Sequence, residues 1–171
     1  MDKLQETLQR EGVVQLQQFL PEKELAILME KIKLLKFIKS YKPLTHYYTS
    51  AVLPVSDLNG LFSFLKVLGM RITRARAYKL RWKNYSVLHD SIKQREYREI
   101  ILDLTESWEE SWGGACIYVD DSGDYQKIPW AYNSVTVIEK KRAQRFFQYC
   151  NHYAQERSVV IAQVQREKRQ N

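Results

Sequence analysis

Residues 114–139, GACIYVDDSGDYQKIPWAYNSVTVIE, decide the expected fold. Three short runs of apolar, β-branched or aromatic residues are separated by an Asp-Asp-Ser-Gly-Asp turn at 120–124 and by Pro129 and Asn133. Short strands at regular spacing, bounded by such turn residues, are typical of all-β sandwiches and barrels. The stretch therefore predicts a β-rich core.

The same pattern extends over most of the chain after Gly69. Candidate strands lie at 72–82, 85–89, 98–104, 114–119, 125–128, 134–139, 145–150 and 157–164. Before them, apolar spacing and capping residues predict helices at 3–10, from Pro21 to about 37, and at 57–67, with strands at 13–20 and 46–55. We expect a single domain: a helical lead-in with two strands at 1–70, a β core of about eight strands at 71–164, and a basic tail at 165–171.

Composition limits the class of protein. The chain has 171 residues, of which 44% are hydrophobic and 27% charged, and this is ordinary globular composition. Two cysteines, Cys116 and Cys150, exclude a disulfide framework and a cysteine-rich zinc site. The amino terminus has no apolar signal core, and no apolar run reaches the roughly 18 residues of a membrane span. We expect a soluble, cytoplasmic protein that does not bind a membrane.

The net charge of +7 is distributed unevenly. Residues 41–90 hold eight basic and two acidic residues, residues 91–125 hold three and nine, and residues 126–171 hold nine and three. One basic run combines cations with nearby aromatic residues: Arg71, Arg74, Arg76, Lys79, Arg81 and Lys83, near Tyr78, Trp82 and Tyr85. Such a run can bind a nucleic-acid backbone, or it can be a solvated strand face. Both interpretations stay open at the level of sequence.

Most catalytic motifs are missing. There is no glycine-rich phosphate loop and no Gly-x-Ser-x-Gly nucleophile turn. Cys150 lies near His152, but the surrounding pattern favours a buried structural thiol over a nucleophile.

The most informative segment is YSVLHDS at 85–91, where His89 and Asp90 follow a strand and enter a polar turn. Non-haem iron enzymes use two histidines and one carboxylate as metal ligands.

Five segments, in this order, resemble a known family. They are GVVQLQQFLPEKELAILMEKI at 12–32, LRWKNYSVLHDS at 80–91, IILDLTESWEESWGGACIYV at 100–119, KIPWAYNSVTVIE at 127–139 and RFFQYCNHYAQERSVVIAQV at 145–164. Together they are similar to the prolyl-hydroxylase-like branch of the 2-oxoglutarate- and Fe(II)-dependent oxygenases. The resemblance implies a mainly β fold with amino-terminal α-helices, the double-stranded β-helix of jelly-roll or cupin-like type.

The resemblance also implies a set of site residues. His89 matches the first iron-ligating histidine of the His-x-Asp motif, but Ser91 stands at the carboxylate position and Asp90 is one residue early. Arg157 matches the arginine that binds 2-oxoglutarate. The distal histidine is expected about ten residues before Arg157, where Phe147 stands, while His152 is only five before.

Two interpretations of this site follow. In the first, His89, Asp90 and His152 hold Fe(II), and Arg157 with Tyr78 binds 2-oxoglutarate. The protein would then be an oxygenase, with a protein side chain, prolyl by family default, as the expected substrate. In the second, the fold persists without iron, and the barrel serves as a binding module for an anionic partner such as RNA or a ribonucleoprotein. Ser91 and Phe147 favour the second interpretation, whereas His89 and Arg157 favour the first.

Overall fold

The computed structural model describes residues 2–87 and 95–166. Its helices are α1 (Asp2–Glu11), α2 (Glu22–Lys33), α3 (Ser56–Asn59) and α4 (Phe64–Val67). Its strands are β1 (Val13–Leu16), β2 (Ile38–Lys42), β3 (His46–Val52), β4 (Met70–Leu80), β5 (Tyr85–Ser86), β6 (Arg95–Asp103), β7 (Cys116–Asp120), β8 (Tyr125–Lys127), β9 (Ser134–Phe147) and β10 (Arg157–Arg166). A 3-10 turn covers Glu110–Trp112.

The described strands are antiparallel and follow the order β2-β3-β4-β10-β6-β9-β7-β8, with β1 paired to β9 and β5 paired to β3. The long strand β9 joins two parts of this arrangement. Its first part pairs with β6 and its last part with β7, and Ala143 is the residue shared by both registers. Such a strand lets the sheet fold over on itself, so that its two faces enclose different cores.

Strand alternation separates two hydrophobic cores. On β4 and β10, one set of alternate residues packs with the helices; it includes Ile72, Ala75, Ala77, Val160 and Ala162. The other set packs inside the folded sheet with residues from β6, β7 and β9; it includes Tyr78, Leu80, Val159 and Ile161. Successive side chains of a strand point to opposite faces, so each of these strands serves both cores.

Helix α2 covers the outer face for reasons that are visible in its sequence. Pro21 precedes the first turn, where Glu22 and Glu24 carry the negative charge that the helix amino terminus favours. Leu25, Leu28 and Ile32 recur at helical spacing and are buried in the outer core. The predicted helix is therefore present, although it ends at Lys33 rather than near residue 37.

The lead-in contains three strands, not the two that the sequence predicted. The additional strand β2 has the sequence IKSYK, and Ser40 is its one half-buried residue. An exposed strand at the end of a sheet lacks the apolar alternation by which strands are recognised. The predicted helix at 57–67 is also divided, into α3 and α4, at Asn59-Gly60, two residues of low helix propensity.

The β core also differs from its predicted outline. The candidate strands at 134–139 and 145–150 form one continuous strand, β9, which ends at Phe147. The charged residues at 140–142 interrupted the apolar pattern, although the backbone continues through them. Strand β10 runs to Arg166, two residues beyond the predicted end, and residues 167–171 of the predicted tail lie outside the described part. No helix in the described residues has the length and apolar character needed to cross a membrane.

Candidate functional site

Arg157, the predicted 2-oxoglutarate ligand, is the first residue of β10 and is only 3% exposed. Its Nη2 donates to Oδ2 of Asp103 at 2.5 Å, and its Nη1 donates to the backbone oxygen of Gly114 at 3.0 Å. The second oxygen of Asp103 accepts the backbone N–H of Thr105 at 3.2 Å. Arg157 and Asp103, the buried pair, therefore have their charges compensated within the chain.

Two glycines make this arrangement possible. Gly113 and Gly114 both have positive φ angles, of 82° and 69°. A Cβ at Gly113 would lie 1.9 Å from the backbone oxygen of Tyr149, and one at Gly114 would lie 3.0 Å from Sγ of Cys150. The loop after β9 thus packs directly on the Trp-Gly-Gly segment, and the same segment supplies the carbonyl that Arg157 binds. The backbone N–H of Gly114 also donates to the oxygen of Gln148.

Aromatic rings fill the position at which the resemblance expects the distal histidine. Phe147, at the end of β9, is 3% exposed. Its ring centroid lies 5.1 Å from that of Tyr78 and 6.0 Å from that of Tyr48. Burial raises the pKa of Tyr78 above its usual value, so the phenol stays neutral at physiological pH. These contacts give Phe147 and Tyr78 a role in the inner core.

A buried ionic network that was not predicted from the sequence lies beside this cluster. Glu99 of β6 is 1% exposed; its Oε2 accepts the hydroxyl of Tyr118 at 2.7 Å and lies 3.0 Å from Nε of Arg145. Burial, with Cys116 and Glu99 adding to it, raises the pKa of Tyr118 well above its usual value. The available indication was the period-two spacing of Glu99 and Asp103 around Ile101, which places all three on one strand face.

The two described histidines contact aromatic rings, and both cysteines are buried. His152 is exposed in the turn between β9 and β10, with its ring centroid 3.9 Å from that of Tyr153. His46 stacks on Tyr48 at 5.1 Å and shares a hydrogen bond of 2.9 Å with Ser40. Both cysteines are free and buried, and burial raises the pKa of each thiol to about 11. A neutral buried thiol is a poor nucleophile, in agreement with a packing role for Cys150.

The predicted metal ligands are only partly covered by the structure. His89, Asp90 and Ser91 belong to residues 88–94, which lie outside the described part of the chain. Among the residues that are described, no group of three or more His, Cys, Asp or Glu side chains could hold a metal ion. The set of His89, Asp90 and His152 therefore stays a prediction.

The geometry of Arg157 tests the fit of 2-oxoglutarate directly. A carboxylate clamped by arginine in the bidentate manner accepts two parallel N–H bonds from one guanidinium group. Two of the three guanidinium nitrogens of Arg157 already donate to Asp103 and Gly114, and only Nε has no partner. The observed contacts of Arg157 do not fit a bound 2-oxoglutarate carboxylate.

Two cavities open along the middle of β4, beside residues 74–78. The larger, of about 740 Å³, is lined by Lys36, Ile38, Lys39, Ser40, Tyr48, Ser50, Ala51, Val52, Arg76 and Tyr78. The smaller, of about 160 Å³, is lined by Arg74, Ala75, Arg76, Tyr78, Glu99, Arg145, Ile161 and Gln163. Arg76 and Tyr78 line both, and we call the two cavities together the mouth. Its lining has five cationic side chains and one carboxylate, Glu99, which is already bonded to Tyr118.

Solved structures show which fold this is. No family model matches the chain, and no curated protein matches it. A prolyl-4-hydroxylase from Pseudomonas putida is similar over 97% of this chain and 98% of its own, with a TM-score of 0.69 and 13% identity. A 2OG-Fe(II) oxygenase family oxidoreductase from Burkholderia pseudomallei is similar over 98% and 91%, with a TM-score of 0.69 and 15% identity.

A third similar structure is a prolyl hydroxylase from Trichoplax adhaerens, in complex with a peptide of the hypoxia-inducible factor oxygen degradation domain. It has a TM-score of 0.70 and 11% identity, and the similarity covers 96% of this chain and 88% of that one. The expected fold is therefore confirmed: the chain has the double-stranded β-helix of the 2-oxoglutarate oxygenases. At such low identities the likeness concerns the fold alone.

Proposed function

We propose that this double-stranded β-helix is a binding module for an anionic partner and that it does not use Fe(II) and 2-oxoglutarate. The observation that carries the proposal is the buried pair. The resemblance assigns co-substrate binding to Arg157, yet its Nη2 already donates to the carboxylate of Asp103 at 2.5 Å. A buried ion pair of this kind is costly to open, because either charge left alone in the core lacks compensation.

The surroundings of Phe147 support the same proposal. A phenyl ring has no atom that ligates iron, and this ring packs against Tyr78 and Tyr48 instead of lining an open metal position. The mouth also supports the proposal, because the lysines and arginines that line it outnumber its single carboxylate. Clefts lined by one sign of charge concentrate ligands of the opposite sign.

The competing function is that of a 2-oxoglutarate- and Fe(II)-dependent hydroxylase. The similar solved structures include prolyl hydroxylases, and His89 and Arg157 stand at positions where the resemblance expects an iron ligand and a 2-oxoglutarate ligand. In that case iron would supply the oxidising chemistry, while the barrel would bind and orient the substrate. A shifted ligand set of His89, Asp90 and His152 would then have to hold the metal.

An anaerobic titration separates the two functions. The apo-protein is titrated with Fe(II) and 2-oxoglutarate, and the metal-to-ligand charge-transfer band is recorded by visible absorption. We expect no band, with an active oxygenase of the same fold as the positive control. A band that is lost in the His89→Ala variant would overturn the proposal and establish the enzyme. A band that persists in that variant would overturn it equally and assign the metal to other ligands.

A further inference from the structure

Strand β4 carries three arginines on one face because of an irregularity in its pairing. Strict alternation would place Arg71 opposite to Arg74 and Arg76. The register with β10 shifts at Gln163/Val164, so that Arg71 pairs with Gln165, Arg74 with Gln163 and Arg76 with Ile161. The extra residue, Thr73, is the bulge that brings the three arginines to one side.

The burial of the neighbouring residues confirms that orientation. Met70, Ile72, Ala75 and Ala77 all belong to the outer core beneath the helices. The three arginines between them are exposed and face the other way, and we call Arg71, Arg74 and Arg76 the arginine row. Two of its members line the mouth.

The structure divides the basic run of the sequence into two groups that differ in whether a carboxylate compensates their positive charge. Lys79 and Arg81 both bind Glu156, at 2.9 and 2.7 Å, so that their charge is partly neutralised. No carboxylate in residues 2–87 and 95–166 forms an ion pair with a member of the arginine row. Arg76 donates a hydrogen bond of 3.2 Å from its Nη1 to the hydroxyl of Ser50.

The dimensions of the arginine row suit a polymer of phosphates. Its members pair with β10 positions two residues apart, which separates them by about 7 Å along the strand. This is comparable with the spacing of neighbouring phosphates in an extended nucleic-acid strand. Guanidinium groups bind phosphate oxygens in a planar, bidentate manner, and a single-stranded partner can follow a row of cations without a duplex geometry of its own.

The mouth adds groups that an acidic peptide would not need. Tyr48, which is half-buried, and Tyr78 line the larger cavity, and Gln163 and Arg74 line the smaller one. Aromatic rings stack with bases, and amides bond base edges. A volume of about 740 Å³ lies within the range of small-molecule sites and admits a nucleoside.

We infer that the arginine row and the mouth bind single-stranded nucleic acid, with the phosphates on Arg71, Arg74 and Arg76 and a base in the larger cavity. This inference rests on the proposed function only in taking the barrel as a binding module. Lys36 and Lys39, which also line the larger cavity, add further positive charge beside the bound strand.

The test compares two double variants that remove equal charge from the same strand run. Arg74→Gln with Arg76→Gln changes the row, and Lys79→Gln with Arg81→Gln is the matched control. Binding of a fluorescein-labelled oligouridylate of about twelve nucleotides is followed by anisotropy at about 50 to 200 mM salt. We expect the row variant to lose affinity about tenfold or more, and the control to lose less than about threefold.

The salt dependence provides a second measurement. Three phosphate contacts predict a slope of log K against log salt of about −2, and the row variant should reduce its magnitude by about 1.4. Circular dichroism melting verifies that both variants are folded. Equal losses in the two variants would overturn the inference, because net charge alone would then explain binding. Salt-insensitive binding, or binding too weak to detect, would overturn it as well.

Two competitors test the class of partner. If polyglutamate displaces the oligonucleotide as well as unlabelled oligouridylate does, or if duplex RNA binds equally, the assignment to single strands is wrong. The outcome is independent of the iron titration. A charge-transfer band refutes the proposed function while leaving the arginine row to be judged by anisotropy. Failure of the anisotropy test with no such band refutes only this inference.

Discussion

The arginines at two places along the β4–β10 pair differ in burial and in the compensation of their charge. At one of them Arg157 is buried and its charge is compensated by Asp103 at 2.5 Å. At the other, Arg74 and Arg76 are exposed and have no carboxylate partner among the described residues. All three face the inner side of the same pair of antiparallel strands, so the difference is not one of fold but of what each side chain meets.

This contrast separates structural from functional charge. A buried arginine must have its partner within the chain, since an uncompensated charge in the core would destabilise the protein. An exposed arginine is solvated and has no such need, so that its charge stays available to a ligand. The buried pair is therefore expected to determine stability, and the arginine row is expected to determine binding.

The largest effect is expected from Asp103→Asn. The substitution keeps the shape of the side chain but leaves the guanidinium of Arg157 buried without a counter-charge. We expect the free energy of unfolding to fall by about 3–5 kcal/mol, as measured by urea denaturation.

A double variant provides the control for this prediction. Asp103→Leu with Arg157→Met removes both charges together and should recover most of the lost stability, because no unpaired charge is left. If Asp103→Asn costs less than about 1 kcal/mol, the pair is not the determinant of stability that its burial indicates.

A smaller effect, at the same place, is expected from Gly113→Ala compared with Gly123→Ala. Both glycines have positive φ, of 82° and 87°, so alanine is strained at either position, and the ψ of −144° at Gly113 adds to its strain because that region is open essentially to glycine alone. Only at Gly113 would the new Cβ also meet a backbone oxygen, that of Tyr149 at 1.9 Å, whereas nothing lies within 4 Å at Gly123.

We therefore expect Gly113→Ala to cost about 1–3 kcal/mol more than Gly123→Ala in thermal or urea unfolding, because the loop after β9 must shift. Equal costs would mean that the close approach to Tyr149 is not maintained in solution. The carbonyl of Gly114 moves with this segment, so the substitution also tests the support of Arg157.

The fold followed from the sequence where the pattern was strong. The strands around the 120–124 turn, and β10, are short apolar runs bounded by turn residues or charges and were predicted close to their observed bounds. Strand β2 was missed because its IKSYK sequence is mostly exposed, and β9 was divided because charges interrupt it. Both strands were mispredicted because neither has a single buried face with regular apolar alternation. The residue types of such strands reflect exposure to solvent or contact with a second core.

The site was less predictable because its pairing is not local. Arg157 could be identified from the resemblance, but its partner Asp103 lies 54 residues earlier on a neighbouring strand. Likewise, the sequence placed six cations in one run and could not show that Glu156 binds two of them. The bulge at Thr73, which aligns Arg71 with Arg74, depends on the register with β10 and has no mark in composition.

The smallest effect is expected where the arginine row itself is changed. The Arg74→Gln, Arg76→Gln variant should alter the free energy of unfolding by no more than about 0.5 kcal/mol in urea, because exposed side chains without ion pairs contribute little. For the same reason the arginine row is suitable for a ligand, because its charges form no ion pairs with described residues of the chain. A loss above about 1 kcal/mol would mean that the arginines contribute to the fold beyond the bond of Arg76 to Ser50, and the distinction between Arg157 and the arginine row would no longer hold.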